Sequence, residues 1–213
     1  MNIFRLTGDL LHLGSILILI ARLQKTKSCA GISLKTQFLY LVVFATRYLD
    51  IFFSFVSVYN TLMKVFFLAS AGYIVYLMKK PLKASYDMAI DSFRLEYVLG
   101  GATVFALLFP HKYTLLEILW SFSIYLEAVA ILPQLFQMSR TGEADNITSH
   151  YVFALGGYRA LYLINWIYRY CTEDDYVDYI AWASGVVQTA LYADFFYIYF
   201  TRVLKGKSFK LPV

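Results

Sequence analysis

Ionisable and aromatic side chains recur at helical spacing inside the most hydrophobic stretches of this sequence. Residues three, four or seven positions apart lie on one face of a helix. The sets with this spacing are Arg5, Asp9 and His12; Arg47, Asp50 and Ser54; Glu117, Trp120, Ile124 and Glu127; and Tyr158, Tyr162, Trp166 and Arg169, with Arg159 and Asn165 beside them. Another apolar stretch carries Gln188 and Asp194. An ionisable group at the bilayer centre costs at least about 2.5–3.5 kcal/mol on insertion scales, so its presence indicates a function.

These sets predict one polar cavity shared by several helices, because lipid would reject each set separately. The charged residues expected in the cavity are four arginines and three acids: Arg5, Arg47, Arg159 and Arg169, with Asp50, Glu117 and Glu127. A small positive surplus suits an anionic ligand that also carries one cationic group. The alternative is that each pair is a structural ion pair between helices. That alternative is the favoured interpretation for Asp9 and Asp194.

His12 is the candidate for a proton switch. An unperturbed imidazole titrates at about pH 6.5, and burial or neighbouring charges shift that value. Carboxylates and the predicted cavity are expected at the same depth as His12, which favours a switch. The commoner arrangement for a lone histidine is a hydrogen-bonded place in a core. His111 and His150 lie at the ends of predicted helices and are not expected to act in this way.

The elements that must position these residues are seven hydrophobic stretches. Of the 213 residues, 60% are hydrophobic and only 15% charged, whereas soluble domains carry about 25% charged residues. A transmembrane helix needs about 20 apolar residues. The stretches are Ile3–Ala21, Thr36–Phe53, Ser57–Met78, Leu95–Phe109, Leu115–Met138, His150–Tyr170 and Tyr179–Val203. They predict an all-α integral membrane protein of seven transmembrane helices in a 3+1+3 arrangement. We expect one domain over residues 1–213, with a short tail at about 204–213.

The basic residues predict the orientation in the membrane. They concentrate in the connections after the first, third and fifth stretches and in the tail: Arg22, Lys25, Lys27 and Lys35; Lys79, Lys80, Lys83 and Arg94; Arg140; and Arg202, Lys205, Lys207 and Lys210. Cytosolic connections carry the excess of Lys and Arg, so the N-terminus is expected in the lumen and the C-terminus in the cytosol. Because these residues are spread over several connections, nucleic acid is not an expected partner.

The sequence contains no motif of an enzyme. His-Glu-x-x-His, Gly-x-Ser-x-Gly and the glycine-rich phosphate loop are all absent from it. Its two cysteines, Cys29 and Cys171, provide neither a disulfide framework nor a metal cluster, and they are expected on opposite sides of the membrane. We therefore expect a protein that is not an enzyme and that uses no metal and no cofactor.

Longer strings of the sequence carry a family resemblance. They are Thr46–Asp50 (TRYLD), Ser57–Thr61 (SVYNT), Leu116–Trp120 (LEILW), Phe122–Glu127 (FSIYLE), Val129–Phe136 (VAILPQLF), Tyr158–Tyr162 (YRALY), Asn165–Trp166 and the start Met1–Arg5 (MNIFR). With these strings the whole chain resembles the KDEL receptors, the family of ER lumen protein-retaining receptors. The third and fourth stretches and the connection at residues 171–178 match this family least well.

The resemblance implies a receptor that binds the C-terminal KDEL-type signal of escaped ER proteins in the acidic Golgi. Such a receptor returns them to the ER in COPI vesicles and releases them at neutral pH. The implied signal contacts are Arg5, Arg47, Tyr48, Asp50, Ser54, Glu117, Trp120, Arg159, Tyr162, Asn165, Trp166 and Arg169. The chemistry agrees, because arginine grips carboxylates bidentately and Asp50 or Glu117 can pair with the signal's lysine. The implied partners are KDEL-like tails, the COPI coat and membrane lipid.

The resemblance also implies how binding is switched and read. Protonation of His12 would favour the anionic signal, and a Tyr158–Glu127 hydrogen bond would lock the closed state. Asp194 is the implied coupling residue. The tail residues implied to contact the coat are Lys205, Gly206, Lys207 and Ser208. Ser208 stands where the family usually has a lysine, and Lys210 follows it. The implied locations are the membranes of the ER, the Golgi and COPI vesicles.

Two alternatives stay open. Leu132–Pro133–Gln134 resembles the PQ-loop of SWEET sugar transporters, which share the 3+1+3 plan, so a small-solute transporter is one of them. Such transporters typically use prolines in several helices, whereas only Pro133 of the four prolines lies within a predicted helix. The other alternative is a purely structural membrane adaptor, which would bind no ligand and would tolerate Arg47→Ala.

Overall fold

The structure is a computed structural model that describes residues 2–173, 176–205 and 209–210, with the backbone alone at Glu143. The helices are α1 (Ile3–Thr26), α2 (Leu34–Arg47), α3 (Val58–Lys79), α4 (Leu95–Leu108), α5 (Leu115–Val129), α6 (Leu132–Thr141), α7 (Asn146–Thr172), α8 (Tyr179–Leu191) and α9 (Ala193–Thr201). Short 3-10 turns cover Tyr48–Phe52, Lys83–Ser85 and Val203–Lys205. The described strands are β1 (Glu143–Ala144) and β2 (Phe209–Lys210).

Three described helices are long and apolar enough to cross a membrane: Ile3–Thr26, Val58–Lys79 and the nearly continuous α5 and α6, Leu115–Thr141. Leu95–Leu108 is apolar but shorter. The prediction of a helical membrane protein is confirmed at this level. Seven spans in a 3+1+3 arrangement stay a prediction. The two-residue pair of β1 with β2 is antiparallel and was not expected from the sequence.

Three of the seven predicted stretches contain a break in their α-helical course. The second leaves the α-helical form after Arg47 and continues as a 3-10 turn. The fifth breaks between Val129 and Leu132, because the ring of Pro133 clashes with the carbonyl four residues earlier, which is that of Val129. The seventh breaks at Tyr192, whose backbone N–H bonds to Thr189 O at 3.2 Å.

Polar side chains fix where most helices begin. Each accepts a hydrogen bond from a backbone N–H three residues later, which satisfies a donor that the first turn leaves open. These caps are Asn2 for α1, Ser33 for α2, Ser57 for α3, Thr114 for α5, Asp145 for α7 and Asp178 for α8. The helices that carry the predicted site therefore have defined starting points.

The chain forms two compact units. We call residues 28–137 the central unit; in it α2 packs against α3 and α5, and α4 packs against α5. A buried network fixes the start of α2 there. The Ser33 N–H donates to Gln134 Oε1 at 2.9 Å, and the Gln134 N–H donates to Thr36 Oγ1 at 3.0 Å. Asp91 accepts from Ser33 Oγ and from Tyr86 Oη, each at 2.8 Å. Burial and the Asp91 hydrogen bond together raise the pKa of Tyr86.

Residues 1–27 and 138–213 form the second compact unit, called the terminal unit, in which α7 packs against both α1 and α8. Arg22, buried near the end of α1, donates through Nε (3.0 Å) and Nη2 (2.6 Å) to Asp145 Oδ2 at the start of α7. Burial alone would raise the pKa of Asp145, but the hydrogen bonds from Arg22 and from the Thr148 N–H outweigh it and hold the pKa below its ordinary value. This ion pair joins the ends of the two helices that carry most of the predicted polar set.

Candidate functional site

Arg47 lies at the end of α2 and is held inside the central unit by residues of α5. Its Nε donates to Ser123 Oγ at 3.1 Å and its Nη2 to the Ser123 carbonyl at 3.0 Å. Its Nη1 lies 2.6 Å from Glu127 Oε2. The Arg47 side chain is 15% exposed and that of Glu127 only 1%. Three of the five guanidinium N–H donors are used here, so two remain for a ligand carboxylate.

Asp50 lies in the 3-10 turn that follows α2, and its carboxylate already has a cationic partner. Lys64 Nζ of α3 lies 2.5 Å from Asp50 Oδ2. The other oxygen, Oδ1, is buried and accepts no hydrogen bond from any described residue. Ser54 Oγ donates to the Asp50 backbone carbonyl at 3.1 Å. Asp50 thus carries one satisfied oxygen and one that is open to a further donor.

The other predicted residues of the central unit lie near aromatic rings or at a helix start. The Tyr48 ring stacks on Phe44 with centroids 5.8 Å apart. The Trp120 ring meets His111 edge to face at 6.0 Å. Glu117 lies in the first turn of α5, where its backbone N–H bonds to the capping Thr114, and its carboxylate has no ion-pair partner among the described residues of this unit.

His12 and Tyr158 form a stacked pair in the terminal unit. Their rings are nearly parallel, at 6°, with centroids 4.0 Å apart. His12 lies on α1 and Tyr158 on α7, and both are buried. The sequence assigned one residue to the proton switch and the other to the lock. The two residues named for the switch and the lock are thus in direct contact.

Arg159 is, with Arg22, a buried arginine of the terminal unit. Its Nε donates to Gln188 Oε1 of α8. Its guanidinium lies over two rings, with its carbon 5.8 Å from the centroid of Tyr158 and 5.6 Å from that of Trp166. Cation–π contacts of this kind stabilise a guanidinium that has lost water. Gly185 makes the packing possible, because a Cβ there would lie 2.5 Å from Trp166 Cζ3.

Smaller polar contacts link α1 to α7. The Tyr162 hydroxyl donates to Asp9 Oδ1, which agrees with the structural role favoured for Asp9. Asn2 Nδ2 donates to Asn165 Oδ1 at 2.7 Å. Arg5, one turn from Asn2, is exposed, and its guanidinium has no ion-pair partner among the described residues of its unit.

Arg169 lies near the end of α7 and pairs with Glu173 at 2.7 Å. Further along the chain, Asp194 is exposed in the first turn of α9, and Lys205 is exposed at the end of the last 3-10 turn. The predicted coat contacts Gly206, Lys207 and Ser208 lie outside the described residues. Among the described residues, no group of three or more His, Cys, Asp or Glu side chains could hold a metal ion.

The structure brings some of the predicted residues into contact within each unit. In the central unit Arg47 pairs with Glu127, and Ser54 bonds to Asp50. In the terminal unit ring and cation–π contacts connect His12, Tyr158, Tyr162, Trp166 and Arg159, whereas the contacts given for Asn165 and Arg169 are with residues outside the predicted set. Convergence of the predicted residues on one ligand stays a prediction, as does the Tyr158–Glu127 hydrogen bond.

Four partners of these residues were missed by sequence reasoning: Ser123, Lys64, Glu173 and Tyr176, whose ring lies against the Arg169 guanidinium. Glu173 carried a signal, since it follows Arg169 by four residues, the spacing at which opposite charges pair on a helix. Ser123 and Lys64 carried none, because 76 and 14 residues separate them from their partners. Such contacts depend on how helices pack.

Comparison with known proteins gives a consistent family. The family model of the ER lumen protein retaining receptor matches residues 28–169. The ER lumen protein-retaining receptor of Drosophila melanogaster is 60% identical over 212 residues, which cover 100% of both chains. ER lumen protein-retaining receptor 2 of Homo sapiens is 58% identical over 212 residues, again covering 100% of both. Receptor 3 of Xenopus laevis is 58% identical over 213 residues, 100% of this chain and 99% of that one. This chain therefore belongs to the ER lumen protein-retaining receptor family.

Proposed function

We propose that this protein retains ER lumen proteins by binding the Lys-Asp-Glu-Leu type signal at their C-termini. The observation that carries the proposal is the set of arginines held within helices of a membrane protein. Arg47 and Arg159 are each largely buried, and the contacts of Arg47 with Ser123 and Glu127 use only three of its five donors. A structural ion pair needs no spare donors, whereas a site for carboxylates does.

The signal matches these groups in charge. It carries two side-chain carboxylates, a terminal carboxylate and one lysine, so it is an anion with a cationic end. Arg5, Arg47, Arg159 and Arg169 are the proposed partners of the carboxylates. Glu117 is the proposed partner of the lysine, since Asp50 already pairs with Lys64. The open Oδ1 of Asp50 is left to accept an N–H of the signal.

Further contacts of the signal are proposed to be mainly with rings and neutral polar groups. Tyr48, Trp120, Tyr162 and Trp166 offer ring faces and edges that pack against the leucine and the aliphatic stems. Ser54 and Asn165 offer hydrogen bonds to the peptide backbone. Tyr48, Ser54, Trp120 and Tyr162 are at least partly exposed, whereas Asn165 and Trp166 are buried, so a ligand is able to reach the first four directly.

The proposed pH dependence rests on His12. Protonation would add a positive charge beside the Tyr158 ring, which lies 4.0 Å away between centroids. That charge favours an anionic signal in a mildly acidic compartment, and its loss at neutral pH favours release. We propose that a hydrogen bond between Tyr158 and Glu127 then stabilises the closed receptor.

Seven spans in a 3+1+3 arrangement, with a lumenal N-terminus and a cytosolic C-terminus, complete the proposal. The signal would bind from the lumen of the Golgi, and the tail around Lys205, Gly206, Lys207 and Ser208 would meet the COPI coat. Asp194 is the proposed coupling residue between the two events. The protein would therefore cycle between the Golgi and the ER in COPI vesicles.

The test is a titration of the purified protein with a Lys-Asp-Glu-Leu peptide at about pH 5.5 and at about pH 7.4. We expect tight binding at the acidic pH and at least about tenfold weaker binding at the neutral pH, which corresponds to about 1.4 kcal/mol. The same peptide with an amidated C-terminus should bind more weakly at both. A small-solute transporter of the PQ-loop type would bind neither peptide, and that outcome would overturn the proposal.

A further inference from the structure

Arg169, a predicted signal contact, is bound by a carboxylate of the same chain along the Nε–Nη2 edge of its guanidinium. Its Nε donates to Glu173 Oε2 at 2.8 Å, and its Nη2 lies 2.7 Å from the same oxygen. Nε and Nη2 are the two adjacent donors that a carboxylate uses to bind a guanidinium from the side. Glu173 therefore already occupies the contact that a carboxylate of a peptide signal would take.

A tyrosine ring fixes the plane of the same guanidinium. The ring of Tyr176 lies with its centroid 3.7 Å from the guanidinium carbon of Arg169. This is a close cation–π contact. Glu173 approaches along the edge of the group and Tyr176 covers one face, so the two contacts are independent of each other. The arginine keeps its orientation from the ring even when its carboxylate partner is exchanged.

Both charged side chains remain open to exchange. Arg169 is 33% exposed and Glu173 is 48% exposed. Glu173 directly follows the last residue of α7, and its backbone N–H bonds to the Arg169 carbonyl whatever its side chain does. The carboxylate is thus able to leave the guanidinium without unfolding the helix. Exposed pairs at this spacing are weak, as an exchangeable contact requires.

We propose that Glu173 is an internal competitor for Arg169, and that a carboxylate of the retrieval signal binds by replacing it. The inference rests on the proposed function and adds a specificity-determining residue to it. Ligands with a single weak carboxylate contact fail to displace Glu173. A signal that forms several contacts at once does displace it. Glu173 therefore raises the threshold that an anionic tail must exceed.

The competition is expected to be constant over the pH range of the secretory pathway. The hydrogen bond from Arg169 holds the pKa of Glu173 below its ordinary value. A carboxyl group with a lowered pKa stays ionised above that value, and its ion pair is lost only when the pH falls through it. Arg169 stays charged throughout, so neither partner of the pair switches. Any pH dependence of binding must come from other groups.

Glu173→Gln tests the inference, since it keeps the size of the side chain and removes its charge. With a Lys-Asp-Glu-Leu peptide we expect about two- to fourfold tighter binding than in the unchanged protein, as expected for loss of one exposed pair. The gain should be equal at about pH 5.5 and about pH 7.4 because Glu173 is ionised at both. In an Arg169→Gln background the same substitution should give no gain.

Asp175→Asn is the charge-matched control, because it removes one acidic charge from the same run of the sequence. It should leave the affinity within about 1.5-fold of the unchanged protein, as removal of a charge other than that of Glu173, which pairs with Arg169, is expected to do. Equal gains in both Arg169 backgrounds, or in Asp175→Asn, would show a general charge effect and overturn the inference. So would an unchanged affinity in Glu173→Gln. If the unchanged protein binds no peptide, the proposed function itself fails, and the two failures are thereby distinguished.

Discussion

Arg47 shows how a guanidinium is kept inside a hydrophobic unit and still remains available. Glu127 neutralises it at 2.6 Å and Ser123 takes two of its donors. A buried ion pair is weak evidence for stability, because the desolvation of both groups offsets their attraction, but removing one partner is strongly destabilising. The arrangement is therefore best explained by a function of the arginine rather than by its contribution to the fold.

Arg47→Ala should weaken binding of a Lys-Asp-Glu-Leu peptide more than tenfold, which is at least about 1.4 kcal/mol. It should also lower the thermal unfolding midpoint in detergent, since Glu127 loses its guanidinium partner. Peptide titration and a thermal melt measure the two effects. Ser123→Ala is the control: it removes the Oγ that accepts from Arg47 Nε and donates to the Trp120 carbonyl. It leaves the Ser123 carbonyl and Glu127 in contact with Arg47, so we expect a smaller loss of affinity than in Arg47→Ala. Unchanged affinity in Arg47→Ala would remove Arg47 from the site.

Substitutions at His12 can separate the packing of its ring against Tyr158 from its protonation. His12→Phe keeps a ring against Tyr158 but cannot take up a proton, whereas His12→Ala loses both. We expect His12→Phe to reduce the affinity ratio between about pH 5.5 and about pH 7.4 to less than about twofold, because the titrating imidazole is gone. The thermal unfolding midpoint of His12→Phe should lie closer to that of the unchanged protein than the midpoint of His12→Ala does. A full pH dependence in His12→Phe would assign the switch to another group.

At the residue scale, the sequence identified residue types and shared helix faces but not the partners of each residue. The helical spacing of Arg5, Asp9 and His12 indicated one face of α1, and His12 indeed meets α7 there. The pairing of Asp50 with Lys64 was invisible, because an α-helical face was assumed beyond Arg47 where the chain adopts a 3-10 turn. Spacing rules apply within one regular helix, and a contact between helices depends on their packing.

At the element scale, close helix contacts depend on glycines that no charge pattern reveals. A Cβ on Gly156 of α7 would lie 2.6 Å from Tyr192 Cδ1 and 2.8 Å from Phe196 Cζ. Its neighbour Gly157 has far more room, since the nearest atom to a Cβ there is Leu11 Cδ2 at 3.7 Å. Two adjacent glycines of one helix thus differ sharply in the room that each leaves for a side chain.

Gly156→Ala should therefore destabilise the protein by about 1–3 kcal/mol, the usual cost of overpacking an interior. Gly157→Ala, the matched control, should be neutral or stabilising by up to about 1 kcal/mol, because alanine favours the helix over glycine. Thermal unfolding in detergent compares the two variants with the unchanged protein. Equal stability of both variants would mean that α7 does not approach the residues around Tyr192 as closely as described.

The breaks within predicted helices were only partly predictable. Pro133 was read from the sequence as the one proline within a helix, and its known effect on the residue four positions earlier accounts for the end of α5 at Val129. No comparable signal marks Tyr192, where α8 gives way to α9. The pairing of β1 with β2 also needed the structure, since each strand has only two residues and their register joins Ala144 to Phe209.

At the scale of the whole molecule, composition was sufficient to predict a lipid bilayer as the surroundings of the protein. It was not sufficient to establish the number of membrane spans. A chain with 15% charged residues cannot cover a soluble surface in the usual way. It is therefore expected to contain long apolar helices, and three described helices are long and apolar enough to cross a membrane. The distribution of Lys and Arg predicts the orientation. The lumenal N-terminus, the cytosolic C-terminus and the count of seven spans stay predictions from the sequence. Labelling of cysteines in sealed membranes can test the predicted orientation.

The two native cysteines make that test direct. Cys29 is 1% exposed, whereas Cys171 is exposed at the end of α7, on the predicted lumenal side. In sealed microsomes, whose outer face is cytosolic, a membrane-impermeant maleimide should not label the unchanged protein until detergent opens the vesicles, because the membrane shields Cys171. In a Cys171→Ser background, Lys80→Cys at the exposed end of α3 should be labelled in intact vesicles, since that connection is predicted to be cytosolic. Labelling of Cys171 in intact vesicles would contradict the predicted orientation. It would place Arg169, two residues earlier in the chain, at the cytosolic end of its helix, where a lumenal signal could not reach it.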